Sequence, residues 1–130
     1  ESDHTLYADA RELVPVTPSR DDARTRFIGA VHWSPPAPLP PALLAADDRP
    51  LAYVALGSSG DPALVQRVAA ALAAAGCRVA VATGGRLDPA TLPVGTVAAP
   101  FLPGADLARR AALVACNGGS PAVQQALTAG

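Results

Sequence analysis

The stretch Val114-Ala115-Cys116-Asn117-Gly118-Gly119-Ser120-Pro121 decides the fold. An apolar run ends in two glycines, a hydroxyl residue and a proline, and a helix-compatible stretch follows at once. This pattern reads as a buried strand delivering a flexible turn to the first turn of a helix. Free N–H groups and the helix dipole at such a place can hold an anion, most often a phosphate. Ser120 is expected to cap this helix and Pro121 to occupy its first position. Val123 and Leu127 should face inward, and Gly130 should end the helix. The sequence stops where a further strand is expected, so the chain reads as part of a nucleotide-binding domain.

Working backward, Leu51-Ala52-Tyr53-Val54-Ala55-Leu56 is a continuous apolar run between Pro50 and Gly57, the signature of a buried parallel strand. Gly57-Ser58-Ser59-Gly60 forms the turn, and Asp61 and Pro62 suit the cap and first position of a helix. Leu64, Val65, Val68, Ala69 and Leu72 recur at helical spacing, and Gly76 stops the helix. Arg78–Thr83 is the next strand and closes on Gly84-Gly85. A strand, helix, strand unit of this length implies a parallel, right-handed crossover. Further strands are expected at 96–99 and 111–116, and helices at 106–110 and from Ser120 onward. The alternation from residue 51 predicts an α/β fold, an open parallel Rossmann-like sheet with helices on both faces. Before it, residues 34–50 carry six prolines and read as an extended linker with one helical turn near Pro41. Residues 1–33 offer only two short candidate strands, at 5–7 and 26–31.

Composition removes several classes of function. The chain has 130 residues, half of them hydrophobic, which suits one folded domain rather than a disordered segment. Ten basic residues, all arginine, face eleven acidic ones, for a net charge of -1. No broad field draws nucleic acid or an acidic membrane. No apolar run reaches the length of a transmembrane span. Cys77 and Cys116 are too few for a disulfide scaffold, His4 and His32 fit no metal-ligand spacing, and no metal site is expected. Buried free thiols suit a reducing, cytoplasmic setting.

In a parallel sheet every strand ends on the same rim, where helix N-termini also point and ligands bind. Gly57-Ser58-Ser59-Gly60, Thr83-Gly84-Gly85-Arg86 and Asn117-Gly118-Gly119-Ser120 all fall there. Glycine lets backbone N–H groups approach a ligand closely, Ser58 and Ser120 can add hydroxyls, and Asn117 can donate an amide hydrogen. Such turns also end strands with no ligand at all, and Arg86 reads as a solvated loop cation. A mononucleotide P-loop and a Gly-x-Gly-x-x-Gly dinucleotide site are both absent. A serine hydrolase is disfavoured, because there is no Gly-x-Ser-x-Gly elbow and no histidine after Ser58. Phosphate recognition would have to rest on backbone dipoles.

Four blocks occur in order: Tyr53–Gly60, Val81–Gly85, Phe101-Leu102-Pro103 and Cys116–Gly130. Together they resemble the donor-binding half of bacterial glycosyltransferases of the natural-product, macrolide type, built from two facing Rossmann-like domains (the GT-B fold). Arg26-Phe27-Ile28-Gly29 resembles the lead into that half. The resemblance implies that residues 1–33 end an acceptor domain and lead into the donor domain, that 34–50 are a linker, and that 51–130 are an incomplete C-terminal, donor-binding domain. The donor would be a UDP- or TDP-sugar and the acceptor a small hydroxylated natural product, with no cofactor, inverting and metal-independent chemistry, and room for a homodimer or an accessory partner. Segments matching Gly57, Ser58, Gly118, Gly119 and Ser120 approach the diphosphate. Phe101 and Leu102 match the segment that faces the base, often through backbone. Gln125 stands where glutamate often reaches the ribose. Asn117 replaces a common histidine, and Pro121-Ala122 replaces a common glycine-threonine, which removes an N–H and a hydroxyl. Each lost donor to a charged group weakens binding by roughly 1.5 to 3 kcal/mol.

The resemblance places the base that deprotonates the acceptor, usually a histidine, in the acceptor domain, and neither His4 nor His32 matches it. No catalytic residue is therefore assigned within the chain. These 130 residues alone are expected to transfer no sugar. A transfer assay on the isolated chain checks this, and clear turnover would contradict it.

Overall fold

The structure, a computed structural model, describes residues 4–14, 24–31, 33–34, 36–56 and 60–130. It divides into two compact units, Glu1–Trp33 and Ser34–Gly130.

In the first unit, β1 (Thr5–Tyr7) pairs in parallel with β2 (Thr25–Phe27), Tyr7 opposite Phe27. The two rings stack at a centroid separation of 5.1 Å, and the Arg11 guanidinium lies 5.5 Å from the centre of the Phe27 ring. These contacts fix the pairing through aromatic and cation–π attraction. The strand expected over 26–31 ends at Phe27, because Gly29 takes φ 77°, outside the extended region. The polar stretch around Pro15 and Pro18 lies outside the described residues.

In the second unit, four parallel strands lie in the order β5-β4-β3-β6, where β3 is Leu51–Ala55, β4 Arg78–Ala82, β5 Val97–Ala99 and β6 Leu113–Cys116. All five residues of β3 are buried, as a central strand covered on both faces requires. Its side chains alternate between two cores. Leu51, Tyr53 and Ala55 meet Leu102 and Leu107, with Ala122 packed alongside. These belong to the face carrying α3 (Gly104–Arg110) and α4 (Ser120–Ala129). Val54 and Leu56 meet Val65 and Ala69 of α2 (Pro62–Ala74) on the other face. The expected open parallel sheet with helices on both faces is therefore present.

Asp61 caps α2 by accepting from the Ala63 N–H at 2.9 Å, and Pro62 opens the helix. The crossover from β4 to β5 carries no α-helix, only a single 3-10 turn at Pro89–Thr91 capped by Asp88. Pro89 is the first residue of that turn and Pro93 follows its end, and neither has an N–H to donate. The strand expected from residue 111 starts at Leu113. The Ala111 N–H still closes α3 on the Leu107 carbonyl, and the Ala112 N–H turns to the Leu51 carbonyl.

The proline-rich segment is part of the second unit. Its one helical turn, α1 (Pro41–Leu44), buries Leu43 in the same core as Tyr53 and Leu107. Asp47 fastens this segment to the start of β4. Its carboxylate accepts from Arg49 at 2.7 and 3.0 Å and lies 3.4 Å from Arg78 Nε, while Arg78 also donates to the Ala42 carbonyl at 2.9 Å. The side-chain hydrogen bond from Arg49, then the Arg49 backbone N–H, hold the Asp47 carboxyl at about 2 instead of its ordinary 3.8. A folded-state value below the unfolded one contributes stability that is complete above 3.8 and is lost as pH falls through 3.8 toward 2. Asp47→Asn should therefore flatten the acid limb of the melting-temperature profile in that window. An unchanged limb would contradict the assignment.

Candidate functional site

The strand order sets the place of the site. From β3 the chain moves outward through β4 to β5, then returns by α3 to place β6 on the opposite side of β3. The order reverses between β3 and β6, and in open parallel sheets ligands bind beyond the carboxyl ends of the strands at such a reversal. The register pairs Ala55 with Cys116. Leu56 and Asn117 therefore leave the sheet side by side, about 5 Å apart as neighbouring strands are.

Two of the three glycine turns flank this point. Of the first, Gly57, Ser58 and Ser59 lie outside the described residues. Gly60 is described and packs back on the residue before the turn: a Cβ there would fall 2.5 Å from the Leu56 carbonyl oxygen. Only glycine fits at position 60 against the Leu56 backbone. In the second, Gly118 has φ 78°, a left-handed conformation that glycine adopts without strain.

One expectation for this turn needs correction. Asn117 holds the turn through its other end: its Oδ1 accepts the Gly119 N–H at 3.2 Å, which leaves its NH2 group a donor. An Asx turn of this kind is the local preference of asparagine two residues before an N–H. Ser120 is not the cap of α4. Gly119 occupies the cap, Ser120 is the first helical residue, and Pro121 the second. The Asx turn bends the chain one residue early, so the helix starts one residue early. Val123 donates to the Gly119 carbonyl at 3.2 Å, the first intrahelical bond. The N–H groups of Ser120 and Ala122 lie in the first turn, where no helical acceptor exists, and Pro121 has none to offer.

The other candidates cluster around α3 and α4. Phe101 is half-exposed, whereas the Leu102 side chain is 3% exposed and belongs to the core, so Leu102 can meet a ligand only through its backbone. Gln125 is half-buried and lies across Gly104: a Cβ on Gly104 would collide with Gln125 Oε1 and stand 3.1 Å from the Tyr53 hydroxyl. Burial raises the Tyr53 hydroxyl pKa above its ordinary value and keeps it a neutral donor. Gln125 is thereby brought to the start of α3, directly after Phe101-Leu102-Pro103. The sequence signal for this contact is Gly104 itself, the residue that leaves room for the carboxamide.

Arg86 is exposed, as a loop cation is expected to be. Its guanidinium donates to the Gly60 carbonyl at 3.3 Å, so the turn after β4 reaches the turn after β3. Among the described residues no group of His, Cys, Asp and Glu side chains could hold a metal ion. No described helix is long and apolar enough to cross a membrane.

Gly60→Ala and Gly104→Ala separate a backbone constraint from a side-chain one. The first drives a methyl into backbone and should destabilise by roughly 1 to 3 kcal/mol. The second meets the far end of a flexible side chain and should cost less than about 1 kcal/mol while displacing Gln125. Denaturant unfolding of both variants measures the difference, and equal losses would contradict the geometry.

No protein-family model matches the sequence. The chain is 46% identical over 132 aligned residues to a PGL/p-HBAD biosynthesis rhamnosyltransferase of Mycobacterium bovis, covering all of this chain and 29% of the relative. It is 46% identical to a PGL/p-HBAD biosynthesis glycosyltransferase of Mycobacterium tuberculosis, again along its whole length and over 30% of that protein. An inactive PGL/p-HBAD biosynthesis glycosyltransferase of Mycobacterium bovis matches 55% of the chain at 45% identity and is covered over 19% of its length. Among solved structures, the calicheamicin glycosyltransferase CalG4 superposes over 83% of this chain and 28% of its own, with a TM-score of 0.59 and 30% identity. The glycosyltransferase SnogD from Streptomyces nogalater superposes over 95% of this chain and 35% of its own, with a TM-score of 0.72 and 24% identity, a likeness of fold. The chain thus spans less than a third of the length of the curated relatives it matches. The recognition drawn from its motifs stands: the sequence belongs to the GT-B glycosyltransferases and has the fold of part of their C-terminal domain.

Proposed function

We propose that the protein containing this chain moves a sugar from a UDP- or TDP-sugar to a hydroxyl of a small acceptor, with inversion and without a metal. In this reading the chain supplies the binding site for the donor's diphosphate. The single observation that carries the reading is the reversal of strand order between β3 and β6, which brings the ends of both strands and the start of α4 to one rim. The acceptor hydroxyl attacks the anomeric carbon as the bond to the diphosphate oxygen breaks. Its proton goes to a base outside these residues, and the negative charge developing on the leaving diphosphate is met by N–H groups and the positive end of α4. The rhamnosyltransferase relative favours a deoxyhexose donor. The half-exposed Phe101 and the half-buried Gln125 would meet base and ribose, with Gln125 giving a neutral hydrogen bond where a carboxylate would give a charge-assisted one. A cytoplasmic location goes with this reading.

A second reading is a binding or accessory protein that has lost transfer. The inactive relative and Pro121-Ala122 favour it, since proline takes away one of the three N–H groups of the first helical turn. Calorimetry with UDP- and TDP-sugars on the full-length protein, followed by a transfer assay, separates the two. Binding with transfer supports the enzyme, binding without transfer supports the second reading, and the absence of binding contradicts both. Pro121→Gly combined with Ala122→Thr restores two donors and should tighten donor binding by about tenfold or more, on the order of one charge-assisted hydrogen bond. Unchanged affinity would place the diphosphate away from α4.

A further inference from the structure

We propose that the Tyr53 hydroxyl binds a sugar hydroxyl of the donor's nucleoside, acting with the Gln125 carboxamide across the space that Gly104 leaves open. The inference rests on the donor-binding reading above and adds a residue to it.

Tyr53 is the middle residue of β3 and is 4% exposed. Its ring lies in the core with Leu51, Leu102 and Leu107. The hydroxyl comes out at the first residue of α3, where a Cβ on Gly104 would stand 3.1 Å from it and would collide with Gln125 Oε1. Two polar ends, one from the central strand and one from α4, thus face one small space. That space exists because residue 104 has no side chain. Burial is what raises the Tyr53 pKa, with no hydrogen bond contributing, and no described residue is a hydrogen-bond partner of this hydroxyl. The oxygen is nevertheless not sealed in. Among the described residues, the enclosed side-chain polar atom that lacks a partner is the Thr96 hydroxyl. Tyr53 therefore brings an unpaired O–H through the core to the surface at the start of α3.

The chemistry of the two groups selects what fits between them. The neutral phenol donates, and a buried ring of this kind ordinarily finds a partner for its O–H. Gln125 Oε1 accepts, and its two lone pairs let it take this bond beside any other. A group that accepts from one and donates to the other is a hydroxyl. A carbonyl has no hydrogen for Gln125, and an ammonium has no lone pair for Tyr53. Water fills the same role when no ligand is bound. The position selects which hydroxyl. Gly104 follows β5 through Phe101-Leu102-Pro103, so the space lies on the rim where the strands end. Phe101 precedes it and is half-exposed, while Gln125 lies one turn beyond the start of α4. With the base beside Phe101 and the diphosphate at the start of α4, the nucleoside sugar falls between them. Uracil and thymine offer carbonyls and an N–H, so the sugar is the part of the nucleoside that supplies a hydroxyl.

The test compares wild type, Tyr53→Phe and Gly104→Ala in the full-length protein. Tyr53→Phe keeps the ring and removes only the hydroxyl. Without ligand its melting temperature should equal or exceed that of wild type, because no described residue loses a partner. Calorimetry then measures affinities for UDP, TDP and 3′-deoxy-TDP, whose nucleoside sugar has no free hydroxyl. Tyr53→Phe should weaken whichever of UDP and TDP binds wild type more tightly by about threefold to tenfold, the range of one neutral hydrogen bond. Its affinity for 3′-deoxy-TDP should change by less than about twofold. Gly104→Ala should show the same selective loss, because its methyl fills the space. A lower ligand-free melting temperature for Tyr53→Phe overturns the proposal, since the hydroxyl would then be bonded within the protein. Unchanged affinity for UDP and TDP, or an equal loss for 3′-deoxy-TDP, also overturns it and leaves the donor reading standing. A wild type that binds neither UDP nor TDP overturns the donor reading and takes this role with it.

Discussion

The parallel pairing of β6 with β3 is the interaction on which the rest depends. It sets the register that makes Ala55 and Cys116 neighbours, and it places the reversal of strand order where two glycine turns leave the sheet. Without it, the turn ending at Gly60 and the turn at 117–119 would have no common rim. The pairing is held from both faces. Tyr53 and Ala55 pack toward Leu102 and Leu107, and Val54 and Leu56 toward Val65 and Ala69, so a shift of one residue would exchange the two cores.

Most of this sheet was legible in the sequence because its signals are local and strong. Continuous apolar runs bounded by glycine or proline define β3, β4 and β6, and Asp61-Pro62 marks the start of α2 by a cap with a physical mechanism. What failed was set by contacts that sequence spacing does not carry. The start of α4 at Ser120 goes with an Asx turn in which Asn117 accepts the Gly119 N–H and Gly119 takes the cap, a local bond that spacing does not announce. The shortened β2 follows from the sign of one backbone angle at Gly29. The crossover to β5 carries a 3-10 turn and no α-helix, in keeping with Pro89 and Pro93.

The candidate site was legible as a set of turns but not as a network. Paired glycines announce close backbone approach, yet nothing local joins Arg86 to Gly60 across 26 residues, or Gln125 to Gly104 and Tyr53 across α3 and α4. Leu102 illustrates the converse: a motif position whose side chain belongs to the core. The rim therefore combines dipoles from a helix start, an Arg86 contact to the Gly60 carbonyl, and a proline that removes a donor from α4. That combination distinguishes it from a phosphate loop built on lysine.

The most direct measurement of the central claim is a crystal structure of the full-length protein with UDP bound. The expected result is a diphosphate beyond the carboxyl ends of β3 and β6, within hydrogen-bonding distance of backbone N–H groups at 118–122. A diphosphate bound elsewhere, with these residues untouched, would contradict it.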